Sequence, residues 1–336
     1  MRTKQNIHYE YSDVVIMPGY SDITTRRDVD TGTKLTSHYS DIVPTMKVPV
    51  ISSNMDTVTE FEMCNAVRSG GGMAAIHRFL PIGTNVQQFQ HVFDPSGAWV
   101  SIGVNRDSKE RAEALHRAGA RQFVVDIAHG HTVMMREILG WMRETFGRDV
   151  FVMGGNVGTP EAVQDLITWG ADAVKVGIGG GNVCTTKDVT GVVTPMFSLV
   201  QDCCAISEDH AIVADGGARS YGDIAKAIGA GASAVMSGYF FAGCPETPAR
   251  SRVQDPATGA YVSIYRGMAS RDAMAVIRAE DKGLPTPEGR SVDVQPKVSA
   301  AVVVDEIAGG LRSAYSYVGA RSTSEFQYKV KFGYRR

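Results

Sequence analysis

Eight short apolar runs alternate with helix-length amphipathic stretches between residues 48 and 237 of this 336-residue chain. Continuous apolar runs predict strands that are buried on both faces, as in a parallel sheet with helical crossovers. The predicted strands are residues 48–53, 72–77, 99–104, 123–128, 150–155, 173–178, 212–215 and 234–237. The predicted helices lie near residues 60–69, 85–93, 108–118, 133–147, 160–169, 197–207 and 221–229. Eight strand–helix units are the number that closes a TIM (β/α)8 barrel, so we predict a single α/β barrel domain over residues 1–336.

An open, doubly wound sheet is the alternative arrangement for the same alternation of strands and helices. In that fold the glycine-rich turn is typical of the first strand. Here glycine-rich or polar turns follow nearly every predicted strand. This distribution favours the barrel.

Three segments fall outside the repeating pattern. We predict an N-terminal wrap over residues 1–47, in which residues 20–47 are polar and aperiodic and are expected to be irregular. Residues 245–298 are charged and proline-rich, and a long excursion after the last strand is typical of a loop over a functional site. We therefore predict a mobile flap at residues 271–298, with a disordered linker over 279–298 as the alternative. A helix near 299–315 and a basic tail at 316–336 complete the chain.

The composition argues against several classes of function. A net charge of −2 gives no dominant attraction to nucleic acid or to a membrane surface, and no apolar run approaches the length of a membrane span. The five cysteines are odd in number and lack C-x-x-C spacing, which disfavours a disulfide or zinc framework. We therefore expect a cytoplasmic protein with no nucleic-acid or membrane partner.

The segment over residues 174–187, V-K-V-G-I-G-G-G-N-V-C-T-T-K, is the strongest candidate for a catalytic loop. Its apolar run ends in three glycines, Gly179 to Gly181, which allow the backbone to approach a ligand closely, and Cys184 follows them. Barrel enzymes place their chemistry on such loops, at the carboxyl ends of the strands. The alternative is a glycine-rich turn that carries an inert buried thiol.

A cysteine nucleophile needs a lowered pKa or a nearby base. The peptide dipoles of the glycine loop, Arg78 and Lys187 are candidates for lowering that pKa, and Thr186 is a candidate proton relay. A Thr-Thr pair is otherwise an ordinary helix cap. The chain has no H-E-x-x-H, G-x-x-x-x-G-K-[ST] or G-x-S-x-G motif, which excludes zincin, P-loop kinase and serine hydrolase chemistry.

Small-residue turns follow the last two predicted strands. Gly216 and Gly217 follow strand seven, and Ser237 and Gly238 end strand eight. Many barrels bind phosphate at this place through backbone N–H groups. Asp215 beside the glycine pair is suited to accept hydrogen bonds from ribose hydroxyls. Ordinary tight turns are the alternative, and the convergence of glycine loops from three neighbouring strands favours the phosphate site.

Seven motifs occur in a fixed order along the chain: N-M-D-T-V (54–58), G-G-N-V (154–157), K-V-G-I-G-G-G-N-V-C-T-T-K (175–187), A-D-G-G (214–217), Y-R-G-M-A-S (265–270), E-G-R (288–290) and G-G-L-R-S (309–313). Together they resemble the inosine monophosphate dehydrogenase and guanosine monophosphate reductase family over roughly residues 9–330, which implies a TIM barrel. Most of the dehydrogenases insert a regulatory CBS pair after the second barrel strand. Only a helix lies between residues 77 and 99 here, which resembles the reductases and a minority of dehydrogenases.

The resemblance implies catalytic and substrate-binding roles for the matching positions. Cys184 resembles the nucleophile that attacks C2 of the purine and forms a covalent thioimidate, whereas Thr186 and Glu288 resemble the pair that moves protons as ammonia leaves. Asp215 resembles the ribose ligand. The full set of implied substrate-binding residues is Asn54, Asp215, Gly217, Ser237, Gly238, Tyr265, Gly267, Met268 and Gly289.

The same resemblance implies the cofactor, an ion and an assembly. Asp126, Asn156 and Arg78 match positions that hold the dinucleotide, which in the reductases is NADPH. The carbonyls of Gly179, Gly181 and Cys184 resemble a monovalent-cation site, typically for potassium. The family commonly forms homotetramers, and the substrate is a purine nucleotide monophosphate.

Several positions bear on whether the chain is a reductase or a dehydrogenase. The dehydrogenases carry an Arg-Tyr pair in the flap to activate water, and no such pair occurs between residues 271 and 298. Asn54 and the run E-G-R-S-V (288–292) also resemble the reductases, whereas His129 and Pro287 resemble dehydrogenase positions. We therefore expect NADPH-dependent reductive deamination of GMP to IMP. The alternatives are an NAD-dependent IMP dehydrogenase without CBS domains and a catalytically silent nucleotide-binding barrel.

Departures from the family pattern cluster around the nucleotide. The usual G-P-G-S is replaced by G-G-G-N at residues 179–182, the usual arginine after Thr-Thr is Lys187, and the usual lysine after the second-strand histidine is Arg78. An arginine that reductases place before the flap glutamate falls on Pro285. These changes suggest a deoxynucleotide or modified purine as a further substrate hypothesis.

Overall fold

Eight parallel strands close into a barrel in the computed structural model, which describes residues 8–207, 209–254, 259, 261–277 and 286–335. The barrel strands are β1 (Val50–Ser52), β2 (Met73–Ile76), β3 (Ala98–Ile102), β4 (Gln122–Asp126), β5 (Phe151–Val157), β6 (Ala173–Val176), β7 (Ala211–Asp215) and β8 (Ala234–Ser237). Each strand pairs with the next, and β8 pairs with β1, where Ser237 lies opposite Ser52. The predicted TIM barrel is confirmed, and the doubly wound alternative is wrong because the barrel sheet closes on itself.

Helices surround the barrel: α1 (Phe61–Ser69), α2 (Ile82–Gln90), α3 (Ser108–Arg117), α4 (Val133–Phe146), α5 (Pro160–Thr168), α6 (Met196–Cys204), α7 (Tyr221–Gly229) and α8 (Ala300–Val318). They match the predicted stretches to within a few residues. The largest displacement is at α2, which begins before residue 85 because the Pro81 carbonyl already accepts a hydrogen bond from the Asn85 amide. The connection from β2 to β3 holds only α2 and a 3-10 turn at Pro95–Gly97.

The barrel interior is packed with side chains. Trp99 and Phe151 meet edge to face at its centre, with ring centroids 5.7 Å apart, and methionines and small apolar residues fill the space around them. Leu35 and Met46 of the N-terminal segment belong to the same cluster. The Lys47 and Val48 amides donate to the Gly71 carbonyl just before β2, so this segment lies at the amino ends of the strands and the carboxyl ends form the open mouth.

The two ends of the described chain pair with each other. Val14–Met17 forms an antiparallel ladder with Lys331–Tyr334, which follows a short helix at Thr323–Lys329. Within the N-terminal segment, Thr33–Lys34 pairs with Thr45–Met46. The structure differs from the irregular course expected over residues 20–47 at Thr33–Lys34 and Thr45–Met46, because two-residue strands are too short to leave a period in the sequence. Residues 1–7 and 336 lie outside the described residues.

A small antiparallel sheet lies in the excursion after β8. Arg252–Gln254 pairs with Tyr261–Arg266, which pairs in turn with Ser291–Val294. The helix Arg271–Ile277 branches from this sheet. The predicted flap at 271–298 and the alternative linker at 279–298 are only partly visible, because residues 278–285, including Pro285, lie outside the described residues. The paired strand shows that the linker alternative does not hold over residues 291–294.

None of the helices that the structure describes combines the length and the apolar character needed to cross a membrane.

Candidate active site

A cysteine, a threonine and a glutamate form a hydrogen-bonded chain at the mouth of the barrel. The Cys184 thiol donates to Thr186 Oγ1 at 3.2 Å, and the Thr186 hydroxyl donates to Glu288 Oε2 at 2.9 Å. Cys184 lies on the loop after β6, and Glu288 comes from the excursion after β8, 102 residues beyond Thr186. This sulfur relay (Cys184, Thr186 and Glu288) gives the thiol proton a route to a carboxylate, as nucleophilic catalysis requires.

Backbone contacts hold Glu288 against the cysteine loop. The Thr185 amide donates to the Glu288 carbonyl at 2.9 Å, and the Arg290 amide donates to the Val183 carbonyl at the same distance. Gly289 lies between them, and a Cβ there would be 2.9 Å from a neighbouring backbone nitrogen. The close approach therefore requires glycine, and the position of the carboxylate depends on how the excursion docks.

Cys184 differs from the other thiols in its surroundings. Burial raises the pKa of each of the other four thiols well above its ordinary value, which makes them inert; they are Cys64, Cys203, Cys204 and Cys244. Cys184 is partly buried, as Cys204 is, but among the five thiols it is Cys184 that donates to a neighbour leading to a carboxylate. Among the cysteines it is the one placed for nucleophilic chemistry.

A buried lysine collects polar groups from three other strands. Lys175, in the middle of β6, donates to Asp126 Oδ1 at 2.7 Å and to Asp215 Oδ2 at 2.8 Å, and also to Asn156 Oδ1. Asn156 donates in turn to Asp215 Oδ2 at 3.0 Å. These four residues (Lys175, Asp126, Asn156 and Asp215) are called the strand-end cluster below. It brings together the predicted ribose ligand and two predicted cofactor ligands.

The strand-end cluster keeps Asp126 ionised. Burial by itself would raise the pKa of the Asp126 carboxyl, but Lys175, Arg78 and Asn54 outweigh burial and lower it below the ordinary value. Burial likewise would lower the pKa of Lys175, whereas Asp126 and Asp215 raise it. An ionised carboxylate at the mouth of the barrel accepts hydrogen bonds from hydroxyl groups.

The glycine loops after β6 and β7 contact each other. A Cβ on Gly216 would lie 3.1 Å from the Gly181 nitrogen, and one on Gly217 would lie 2.7 Å from Met196 Cγ. Gly217 has φ +80°, which places its peptide in the left-handed region. Bare backbone from two neighbouring strands therefore lines one wall of the mouth, where amide groups suit an anion.

Tyr265 covers the turn after β8 from the excursion sheet. A Cβ on Gly238 would lie 2.9 Å from the Tyr265 hydroxyl, and Ser237 is buried next to it. Burial, with the nearby Asp215 and Cys184, raises the pKa of Tyr265 above its ordinary value. The phenol therefore stays protonated and is a hydrogen-bond donor beside the glycine loops.

The loop after β1 is tied to the excursion by a buried ion pair. Arg266 Nε donates to Asp56 Oδ1 at 3.2 Å, and the Asp56 amide contacts Met268 Sδ at 3.5 Å. A Cβ on Gly267 would lie 3.3 Å from Gly289 Cα. Three residues of the predicted substrate-binding set, Gly267, Met268 and Gly289, are thus on one patch of the excursion.

Residues 8–335 match the sequence model of the IMP dehydrogenase / GMP reductase domain. The chain belongs to the IMP dehydrogenase / GMP reductase family. It is 33% identical to a GMP reductase of Streptococcus pneumoniae (strain Hungary19A-6), over 95% of this chain and 93% of that protein. It is also 33% identical to an inosine-5'-monophosphate dehydrogenase of Cryptosporidium parvum, over 96% of this chain and 90% of that protein.

A third relative matches over less of its length. The GMP reductase of Leishmania donovani is 39% identical over 69% of this chain, and that match spans 49% of the relative, so about half of its length. Among solved structures, a GMP reductase variant from Trypanosoma brucei in complex with guanosine 5'-monophosphate superposes with a TM-score of 0.88 at 26% identity, over 98% of this chain and 96% of that one. Members of the family are oxidoreductases that use a nicotinamide cofactor.

The structure gathers most residues that the family resemblance singled out. The sulfur relay, Asp126, Asn156 and Asp215 lie at the carboxyl end of the barrel, as do the glycine loops and Tyr265. Arg78 packs its guanidinium over the Phe79 ring and near Gly103 at the end of β3, and its charge reaches Asp126. The roles of these residues remain predictions.

Two charged residues at the site were missed from sequence. Lys175 lies between Val174 and Val176 in an apolar strand, and Arg266 lies beside the predicted Tyr265. A lysine within a buried strand is itself a signal, because a fully buried charge needs a partner. The identity of that partner was not readable from spacing along the chain.

The residues at the mouth suit a nicotinamide cofactor of the kind that this family uses, and the cation site is a separate prediction. The ionised Asp126 and the amide of Asn156 offer polar contacts for the sugar hydroxyls of a dinucleotide. For the cation, the predicted ligands are main-chain carbonyls, and the Gly181 carbonyl already accepts the Cys184 amide at 3.2 Å. Among the described residues, no group of three or more His, Cys, Asp or Glu side chains is placed to hold a metal ion.

Proposed function

We propose that this protein is an NADPH-dependent reductase that deaminates GMP, or a deoxy or modified guanine nucleotide, to the corresponding hypoxanthine nucleotide. The observation that carries the proposal is the sulfur relay, in which the Cys184 thiol reaches the Glu288 carboxylate through Thr186. A protein that only bound nucleotides would need none of the three side chains. Support for reduction over dehydrogenation comes from the absence of an Arg-Tyr pair in the sequence of 271–298.

The relay supplies both the nucleophile and the proton that the first half of the reaction needs. The thiol proton passes through Thr186 to Glu288 while the sulfur forms a bond to purine C2. Glu288 then returns a proton through Thr186 to the exocyclic amine, the C–N bond breaks, and ammonia leaves a covalent thioimidate on Cys184. A reduced nicotinamide, when bound, supplies the hydride that replaces the amine at C2 and releases the sulfur.

The rest of the mouth binds and orients the two reactants. Asp215 accepts hydrogen bonds from the ribose hydroxyls. The phosphate is held by the amides near Gly217 and Gly238, by Ser237 and by the neutral Tyr265 hydroxyl. Asn54, Gly267, Met268 and Gly289 contact the base. Asp126, Asn156 and Arg78 hold the dinucleotide. Fixing both partners in one geometry removes much of the entropic cost of the reaction.

We further propose the setting in which the enzyme works. The carbonyls of Gly179, Gly181 and Cys184 take a monovalent cation such as potassium, which orders the catalytic loop. The protein acts in the cytoplasm as a homotetramer, and the described parts of the predicted flap, residues 271–277 and 286–298, move over the mouth of the barrel. Its free thiols and near-neutral charge are compatible with that compartment.

Product analysis tests the proposed reaction. Purified protein is incubated separately with GMP, dGMP and IMP, each with NADPH, NADH, NADP+ or NAD+, with and without potassium, and the products are identified by mass spectrometry. The expected result is IMP, ammonia and one NADP+ for each GMP consumed together with NADPH. Conversion of IMP to xanthosine monophosphate with NAD+ would instead establish the dehydrogenase. If GMP is used as well as or better than dGMP, the deoxynucleotide hypothesis fails.

A further inference from the structure

Lys175 is a fully buried charge for which the proposed mechanism has no use. It occupies the centre of β6 between two buried valines, and its side chain is 2% exposed. Burying an ammonium is costly unless every N–H finds an acceptor. Its three donors are all used, on Asp126, Asn156 and Asp215. The chain therefore buries a charge, at a cost in free energy, at a position whose neighbours in the sequence are apolar.

The three acceptors of Lys175 bind different reactants in the proposed function. Asp126 ends β4 and Asn156 lies in β5, both on the proposed dinucleotide side, whereas Asp215 ends β7 on the proposed ribose side. The two carboxylates are not sealed in the core, since their side chains are 22% and 20% exposed. The Lys175 ammonium thus bridges two carboxylates that face the mouth, Asp126 on the dinucleotide side and Asp215 on the ribose side.

Simple stabilisation explains this arrangement poorly. Replacing a buried ion pair by apolar residues is often neutral or favourable for stability, so a purely structural role gives little reason to keep it. Without the lysine, two carboxylates and an amide oxygen would face one another across a partly dry space, and the carboxylates would repel. Their separation and orientation are therefore set by Lys175.

We infer that Lys175 is a positioning residue that locks the nucleotide-ribose ligand Asp215 and the dinucleotide ligands Asp126 and Asn156 into one geometry. This inference rests on the proposed function. Because its three N–H groups are engaged by protein acceptors, Lys175 acts through those three groups. A single substitution at position 175 therefore weakens the binding of both reactants, whereas a substitution of one acceptor weakens mainly one.

The pH dependence of activity gives a signature of this role. Asp126 is faced by Lys175 from β6, by Arg78 after β2 and by Asn54 after β1, all of which favour its ionised form. Removing the lysine raises the pKa of Asp126, so the ionised form is lost at a higher pH on acidification. The acid limb of the kcat/KM profile moves upward by about one unit or more.

The first experiment compares Lys175→Met with wild type and with Lys109→Met, an exposed lysine on α3 that makes the same charge change. Dissociation constants for GMP and for NADP+ are measured separately by calorimetry, and kcat and KM are measured across pH. We expect Lys175→Met to weaken both ligands at least about tenfold, a loss near 1.4 kcal/mol each, and to shift the acid limb. Lys109→Met should match wild type.

Two further variants keep the inference falsifiable if Lys175→Met fails to fold. Asp126→Asn keeps the lysine and Asp215, and should weaken NADP+ while GMP affinity stays within threefold. The double variant Lys175→Met with Asp126→Asn removes one charge of each sign and relieves the repulsion. It should bind GMP at least tenfold more weakly than Asp126→Asn alone.

The outcomes separate the inference from the proposed function. An active wild type with a Lys175→Met variant whose affinities and pH profile are unchanged overturns the inference, as does a double variant that binds GMP like Asp126→Asn. A wild-type protein that neither binds nor converts any purine nucleotide overturns the proposed function itself.

Discussion

The strand-end cluster and the sulfur relay lie at the same mouth but are built in different ways. Every member of the strand-end cluster belongs to a strand of the closed barrel, and hydrogen bonds between neighbouring strands fix the spacing of those strands. The members of the relay lie outside the barrel strands: Cys184 is on the loop after β6, Thr186 begins the short helix Thr186–Thr190 that follows it, and Glu288 arrives from the excursion after β8. The barrel places the first group, and docking of the excursion completes the second.

This difference suggests a division of labour between binding and chemistry. Groups on a rigid sheet keep their geometry whether or not a ligand is bound, which favours ligand recognition. A carboxylate on a separate segment depends on the contacts that hold that segment against the cysteine loop, such as the hydrogen bond from the Thr185 amide to the Glu288 carbonyl. Substitutions in the sulfur relay should therefore reduce kcat. Substitutions in the strand-end cluster, or in the glycine loops beside it, should raise KM.

The largest effect is expected for Cys184→Ser. Removing the nucleophilic sulfur should lower the rate of GMP-dependent NADPH oxidation by about a thousandfold or more, because no covalent intermediate forms. GMP affinity, measured by calorimetry, should stay within a few fold. Cys204→Ser, at a thiol remote from the mouth, serves as the control and should retain full activity. A Cys184→Ser variant with more than a tenth of wild-type activity would contradict the covalent mechanism.

The next effect is expected for Glu288→Gln, which keeps the size of the side chain and removes its proton-transfer capacity. The rate should fall by about 10²- to 10⁴-fold with little change in the KM for GMP. Asp293→Asn, an exposed carboxylate on the same excursion, is the matched control. Steady-state kinetics distinguish proton transfer by Glu288 from substrate binding by it. A large rise in the KM for GMP with unchanged kcat would assign Glu288 to binding.

A smaller effect, on binding rather than rate, is expected for Gly217→Ala. The residue has φ +80°, and its new Cβ would lie 2.7 Å from Met196 Cγ, so the loop must shift. The KM for GMP should rise about tenfold, near 1.4 kcal/mol, with kcat largely kept. Gly222→Ala, where a Cβ meets its nearest atom at 3.6 Å, is the neighbouring control. Equal kinetics for the two variants would remove Gly217 from the nucleotide site.

The smallest effect is expected in α8, which contains no residue of the strand-end cluster or the sulfur relay. Substitutions there should change the stability of the fold and not the chemistry. A Cβ on Gly309 meets nothing within 4 Å, so Gly309→Ala should raise the free energy of unfolding by about 0.5–1 kcal/mol. Its neighbour Gly310 would place a Cβ 2.9 Å from Tyr221 Cβ, so Gly310→Ala should lose that gain. Urea unfolding measures both, and activity should not change in the first.

Sequence patterns predicted the architecture better than the site. The eight strands and the surrounding helices follow from local hydrophobic runs. The starts of α5 and α7 are also local, because Thr159 and Ser220 accept hydrogen bonds from the Ala162 and Asp223 amides at 3.2 Å. Such signals are local, because each is carried by a few adjacent residues. The pairing of Val14–Met17 with Lys331–Tyr334 has no local signal and was not predicted.

The site was predicted mainly where a motif carries its own chemistry. Cys184 stands out on a glycine loop after a buried run, and Asp215 stands out before a glycine pair. The sequence does not predict the role of Lys175, because a single charge in an apolar run does not identify its partner. It does not predict the role of Arg266 either, because Asp56, which pairs with it, lies 210 residues away.

The amino-acid sequence by itself determined where the strands lie, that eight of them form one barrel, and which strand ends carry reactive or ligand-binding groups. Only the tertiary structure decided that Glu288 reaches Thr186, that one lysine joins Asp126 to Asp215, and that Arg266 closes on Asp56. The physical reason is the separation along the chain between the residues that interact. Burial and helix periodicity are set by neighbours along the chain, whereas a hydrogen bond at 2.7–3.2 Å between remote segments exists only after the barrel has closed and the excursion has docked.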